Sequence, residues 1–347
     1  MSLQLAESPS AREAYALVQE LQALLVKQLE SIPSPHGVAP FVSVPWLRAQ
    51  GIFGGGARFV ATDEIIFDRA SVNISQVQYE KDPQRKLASA SALSTIVHPR
   101  HPLSPSMHMH ISWTEMKDGT GYWRIMGDLN PSHPDSADRD QFEAALQAAV
   151  GEELFAYGKG QGERYFYIPA LERYRGIAHF YLEEYKSENQ GADLELARRF
   201  GRALIFTYKD ILSRRMGGTH SPPTEEQRKQ QLAYHSLYFL QVLTLDRGTT
   251  SGLLVHNEND TGILGSLPSH VDKVLLGSWV AKLPKVQQAL LQGLLGLLPG
   301  EAVSLVDDTA KVNIAEFCRQ FYREHPEAQD VLARGDRIPP TQQNHLS

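Results

Sequence analysis

Four of the thirteen histidines, His98, His101, His108 and His110, fall within the fourteen residues VHPRHPLSPSMHMH. Imidazoles at that density can do two kinds of chemistry: ligate a divalent metal, or accept and return a proton near neutral pH. In MHMHISWT the alternation assigns faces, because successive side chains of a strand point to opposite sides. Met107, Met109, Ile111 and Trp113 form an apolar side, and His108, His110, Ser112 and Thr114 a polar one. On that polar side the two histidines stand roughly 6 to 7 Å apart at Cα. His98 ends the preceding run LSTIVH on the side that carries Ser94 and Ile96, so pairing of the two strands would bring Ser94 and His98 to the same cavity.

The metal reading rests on His108, His110 and, as a further ligand, His98, a donor set suited to divalent iron, manganese or zinc. The spacing His108-x-His110 followed by Glu115 is similar to that of cupins, but Pro102 stands where cupins expect glycine, and Glu115 alternates onto the apolar side. The plain alternative is a polar surface strand.

The elements that must position these residues follow from periodicity. Ser10 and Glu13 have capping-box spacing, and Ala14, Leu17, Val18, Leu21, Leu25 and Leu29 recur on one helical face, which predicts a first helix ending before SIPSPHG. From 52 to 130 short β-type runs (ARFVAT, SVNISQVQ, LSTIVH, MHMHISWT, GYWRIMG) alternate with turns, which predicts antiparallel pairing. A helix is expected at 137 to 150, strands at RYFYIP and GIAHFYLE, a long helix from Ala192 to Arg214, a polar helix after Pro223 and a strand at SLYFLQVLTL. Residues 270 to 325 read as mostly helical, with LPKVQQALLQGLLGLLPG the most apolar stretch, and the tail after Pro326 as loosely held. GIFGGGAR opens no helix after a strand, so it reads as a flexible turn and not a dinucleotide loop. The fold class is α+β: a large, mostly antiparallel sheet sandwiched between helices. The expected divisions are an N-terminal helix and lead-in (1–50), a catalytic domain (51–280) and a helical C-terminal extension (281–347).

Composition narrows the function. The formal charge of -6 argues against nucleic acid as a partner. The single cysteine, Cys318, permits no intramolecular disulfide and suits a reducing compartment. No secretory pattern opens the chain, and no window reaches the roughly 18 apolar residues of a membrane span. A cytoplasmic protein is expected.

Taken in order, SVNIS, LSTIVHPRHPLSPSMHMH, WRIMGDLNP, YFYIP, RGIAHFYLEE, LDRGTTSGLL and ILGSLP resemble the motifs of oxygen-dependent coproporphyrinogen III oxidases, from about residue 53 to 280. The resemblance implies a homodimeric enzyme that converts propionate side chains of a reduced tetrapyrrole to vinyl groups by oxidative decarboxylation. Molecular oxygen is the co-substrate, with neither an organic cofactor nor an essential redox metal. It implies His108 as the catalytic histidine, Asp128 as the partner of the pyrrole nitrogens, Arg175 and Arg247 as retained arginines, and Ser94 as a substrate contact. His110 and Ser112 stand where the family has asparagine and arginine, and Asn259 stands where it has another arginine. In the family's HRGE stretch this chain reads Ala170, Leu171, Glu172 and Arg173, with Arg173 as a compensating cation. The dimer contact is implied near 238 to 246 and the helix after Pro268. Two other readings stay open at this point: a catalytically silent tetrapyrrole-binding relative, and a metal-dependent enzyme built on the histidine pair.

Overall fold

The computed structural model describes residues 3–34, 37–217 and 222–346. Helix α1 (Pro9–Glu30) starts earlier than the capping-box spacing predicts: Ser8, not Ser10, accepts a hydrogen bond from the Ala11 amide, and Pro9 fills the first turn. Its apolar stripe, from Ala14 to Leu29, is buried as expected.

Six strands follow in sequence: β1 (Val42–Leu47), β2 (Gly54–Val60), β3 (Phe67–Gln78), β4 (Leu87–Pro99), β5 (Ser106–Met116) and β6 (Gly121–Asn130). Each after the first pairs antiparallel with its predecessor. The chain then forms α2 (Ser136–Val150) and α3 (Glu152–Phe166), a short ladder of β7 (Tyr167–Ile168) with β8 (Arg173–Tyr174), and β9 (Ala178–Tyr185). β9 pairs with β6 and completes a seven-stranded antiparallel sheet. The glycine run expected as a turn is strand instead. A Cβ on Gly54 or Gly56 would stand 2.0 or 1.9 Å from the carbonyl oxygens of Gln76 and Ile74 in β3, so only glycine permits this pairing.

One sheet face carries Met107, Met109, Ile111 and Trp113, all nearly inaccessible, under α1 and α4 (Gln190–Gly217). Over the other face lies a second helical layer with its own core: α5 (Glu225–Thr244), α6 (Arg247–Val255), α7 (Asp260–Ile263), α8 (Lys273–Trp279), α9 (Lys285–Leu297) and α10 (Asp308–Glu324). A small ladder of β10 (His270–Asp272) with β11 (Val303–Leu305) borders it. The sandwich of helices on both faces is as expected. The apolar stretch at 285–297 forms α9, with Leu290, Leu291 and Leu294 buried.

Three expected elements differ. SLYFLQVLTL is the second half of α5, not a strand. Every residue from Tyr234 to Thr244 is buried, and burial on all sides erases the 3.6-residue period that would mark a helix. This also removes the expected dimer contact at 238 to 246, because α5 is enclosed by the chain's own helices. In RYFYIP, Tyr165 and Phe166 end α3, and only Tyr167–Ile168 are strand. The tail after Pro326 is anchored: Arg247 donates to the carbonyls of Gln329, Leu332 and Ala333, and α11 (Thr341–Leu346) packs over the polar sheet face.

Candidate active site

Between the polar sheet face and the second helical layer lies a cavity whose floor is built by alternation. β3 contributes Ser71, Asn73 and Ser75; β4 contributes Ala92, Ser94 and Ile96; β5 contributes His108, His110, Ser112 and Thr114; β6 contributes Tyr122, Arg124 and Met126. The register makes direct cross-strand pairs of Ser94 with His110, His108 with Asp128, and Ser112 with Arg124. Tyr165, Tyr181 and Tyr238 stand in the walls.

The strongest polar cluster sits at one end. His108 Nδ1 lies 2.7 Å from Asp128 Oδ1, and Arg175 Nη2 donates to Asp128 Oδ2 at 2.7 Å. Asn130 Nδ2 donates to the same Oδ2 at 2.6 Å. Arg175 also donates to Gln241 Oε1 at 2.6 Å, and its guanidinium carbon lies 4.5 Å from the Phe166 ring centre and 4.9 Å from that of Tyr238. Local backbone aims this arginine. Gly176 takes a positive φ of 90° and leaves no room for a Cβ against Asn130, while His179 bonds the Arg175 carbonyl at 2.6 Å.

Burial opposes the charge on both Asp128 and Arg175, yet their contact wins. It holds the carboxyl well below the usual carboxylate range, with help from His108, and raises the guanidinium above its own. A permanent carboxylate at Nδ1 makes that nitrogen the protonated one, which leaves the His108 Nε2 lone pair free to accept a proton. His108 is the member of this cluster whose imidazole opens on the cavity. Asp128 is fully inaccessible and reaches the cavity only through His108 and Arg175. Its oxygens face protein donors, Oδ1 that of His108 and Oδ2 those of Arg175 and Asn130.

The other candidate residues divide. Ser94, His110, Ser112, Arg247 and Asn259 all line the cavity. His110 accepts from or donates to Ser112 Oγ at 2.9 Å, and burial, with Arg124 and His108 nearby, keeps it neutral. Arg247 spends its donors on the three carbonyls of the tail. Arg173 does not reach the cavity; it is exposed in β8. His98 is turned away: it is fully buried, with Nδ1 at 2.8 Å from Ser106 Oγ and Nε2 at 3.1 Å from the Ser266 carbonyl. It therefore cannot join His108 and His110 on a metal, and among the described residues no group of three or more His, Cys, Asp or Glu side chains is arranged to hold one.

Reading single motifs missed Arg124, Tyr122, Asn130 and Gln241. The first two were accessible to it, since alternation in GYWRIMGD puts Tyr122, Arg124, Met126 and Asp128 on one face.

Comparison with known proteins decides the family. The sequence model described as coproporphyrinogen III oxidase matches residues 13–275. The chain belongs to the coproporphyrinogen III oxidase family. Among relatives, the oxygen-dependent coproporphyrinogen-III oxidase of Rickettsia akari (strain Hartford) is 30% identical over 270 residues, covering 72% of this chain and 94% of that protein. Its counterpart from Rickettsia felis (strain ATCC VR-1525 / URRWXCal2) is 30% identical over 271 residues, with 73% and 94% covered. The mitochondrial enzyme of Rattus norvegicus is 26% identical over 276 residues, with 73% and 60% covered. The chain sets an imidazole and a buried ion pair beside its cavity. No helix among the described residues is long and apolar enough to cross a membrane.

Proposed function

We propose that this chain catalyses oxygen-dependent oxidative decarboxylation of propionate side chains on a reduced tetrapyrrole; the relatives are named oxygen-dependent coproporphyrinogen-III oxidase. The observation that carries the reading is the His108–Asp128–Arg175 relay opening on a cavity with aromatic walls. Per propionate, a CH2–CH2–COO⁻ group, one O2 and one proton become a vinyl group, carbon dioxide and hydrogen peroxide. The two electrons that reduce oxygen come from the propionate, as its C–H and C–carboxyl bonds break, and pass through the electron-rich ring, so no organic cofactor enters the balance.

In this scheme His108 Nε2 is the base that takes a ring or side-chain proton as charge builds in the macrocycle. Asp128 holds its tautomer and stabilises the imidazolium that forms, and Arg175 keeps Asp128 ionised. Ser94, His110, Ser112 and Asn259 position the substrate. Arg247 fixes the tail that closes one wall, and Arg173 stands outside. The same reading takes the enzyme to be a cytoplasmic homodimer, in which residues 51–280 form the catalytic unit and 281–347 an extension. The single cysteine suits a reducing compartment, and the family match, which ends at residue 275, supports an extension beyond it.

The test is turnover of coproporphyrinogen III with and without oxygen, scored by mass. Aerobic loss of carbon dioxide, absent under anaerobic conditions, is the expected result. Binding without any mass loss in air would sink the proposal.

A further inference from the structure

Residues beyond 275 lie outside the family match, and the first relatives are already covered to 94% of their length by 72% of this chain. The extension nevertheless returns to the cavity. After the Arg247 clamp, Thr341, Asn344 and His345 enter the cavity wall at the end away from the His108 cluster. Thr341 Oγ1 accepts from Arg124 Nη2 at 3.0 Å, Asn344 Nδ2 donates to Tyr122 Oη at 2.9 Å, and Gln342 Nε2 donates to Ser251 Oγ at 3.3 Å.

Behind His345 sit two guanidiniums on one aromatic ring. Arg48 and Arg85 each place their central carbon 5.4 Å from the centre of Tyr79. Arg48 bonds His256 Nδ1 and the Val255 carbonyl, and forms no ion pair among the described residues. Arg85 has one carboxylate partner, Asp82, at 3.7 Å, and gives its Nη1 to the backbone carbonyl of His345. Two half-buried cations thus share a platform whose neighbouring carboxylates are Asp82, 3.7 Å from Arg85, and Glu258, whose oxygens are committed to the Ala49 amide, and a neutral carbonyl occupies a donor that an anion would take. The arrangement is costly unless an anionic oxygen completes it, because a charge removed from water needs a partner. His345 and His256, packed edge to face at 5.4 Å, form the partition between the cavity and this pair.

We propose that Arg48 and Arg85 are carboxylate-recognising residues of this chain, and that the segment from Ile338 to His345 is a displaceable plug whose His345 carbonyl stands in for a substrate carboxylate. The inference rests on the tetrapyrrole reading and deepens it. Ser112 and Asn259, where the family motifs carry arginine, leave the cavity floor without those cations, and Arg124 is already bound by Glu183 in a two-point pair at 2.6 and 2.9 Å. Arg48 and Arg85 are the cations at this end that a polycarboxylate can recruit by moving the plug.

The experiment measures binding of two probes by fluorescence: coproporphyrin III, a stable tetracarboxylate, and its uncharged tetramethyl ester. The full chain is compared with a chain ending at Arg337. Removing the plug gives about tenfold tighter binding of the acid, the scale of one or two hydrogen bonds no longer displaced, with the ester unchanged. Adding R48Q and R85Q to the shortened chain abolishes that gain. Should the shortened chain lose its fold by circular dichroism, T341V with N344A in the full chain loosens the plug and shifts acid binding the same way by about threefold. Acid binding that is unchanged or weaker on loosening the plug, or a gain that survives R48Q and R85Q, overturns the inference while leaving the tetrapyrrole reading intact. Failure of the full chain and the loosened chain to bind either porphyrin overturns both.

Discussion

Two buried aspartates sit on the same sheet, each beside an arginine and a histidine, with opposite consequences. Asp128 pairs with Arg175 and His108, and His108 opens on the cavity. Asp68, in β3, pairs with Arg100 at 3.2 Å, accepts from the Ser269 amide at 2.9 Å and faces His235, whose ring centre lies 5.3 Å from that of His98. None of Asp68, His98 or His235 lines the cavity. The Asp68 cluster pins α5 and the segment before β10 to the sheet. What separates the two clusters here is access: His108 spends one imidazole nitrogen on the carboxylate and opens on the cavity, whereas His98 spends both nitrogens on protein and His235 is buried away from the cavity.

The largest effect expected from that difference comes from D128N. It removes the charge that sets the His108 tautomer, so kcat falls about 1000-fold or more. It also strands Arg175 without its counter-charge, which costs about 3 kcal/mol in urea unfolding. D68N gives the mirror result, a loss of about 2 kcal/mol with kcat per folded molecule unchanged. If D68N slows turnover as much as D128N does, the distinction by access fails.

H108Q is expected to lower kcat by about 100-fold or more while the unfolding free energy from urea titration changes by no more than about 1 kcal/mol. A large stability loss without a rate effect would place His108 with His98 as a structural residue.

Acidification separates the clusters from the other side. Burial pushes His98 down to about 3 and His235 down to about 4, so both are neutral in the folded chain. The unfolded chain binds protons on these histidines below about pH 6.5, so stability is full at pH 7 and above and declines as pH falls from 6.5 toward 4. Each contributes a loss of about 2 kcal/mol at pH 5, and H235Q removes one share; unfolding free energies measured at pH 7.5 and 5 check this. Stability that stays flat over that range would show that the pocket admits charge. The smallest effect is at Arg173, exposed in β8: R173A should leave kcat and KM within about twofold, and a KM rise of tenfold would bring this arginine back to the substrate.

Much of the cavity floor was legible in the sequence. Alternation in MHMHISWT separated His108 and His110 from Met107, Met109 and Ile111, and the order of motifs pointed to the family. Strand periodicity is a property of the local backbone, so it survives without knowledge of what packs above it. The same local signal failed at α5, where burial on every side left no polar face to reveal a helix. It failed too at the glycine run, where close strand approach and a turn call for the same residue.

Residue types and spacing by themselves indicated a mostly antiparallel sheet and the two faces of the strand that carries His108 and His110. Only the tertiary structure decided what those residues do. It shut Asp128 away behind Arg175, turned His98 into the α5 contact, committed Arg247 to the carbonyls of the tail, and folded residues 338–346 back over the cavity. Each of those outcomes depends on contacts between segments dozens to hundreds of positions apart, and on which buried donor reaches which acceptor first. No local pattern carries that information, because a charge buried by distant chain takes its partner from whatever that chain brings.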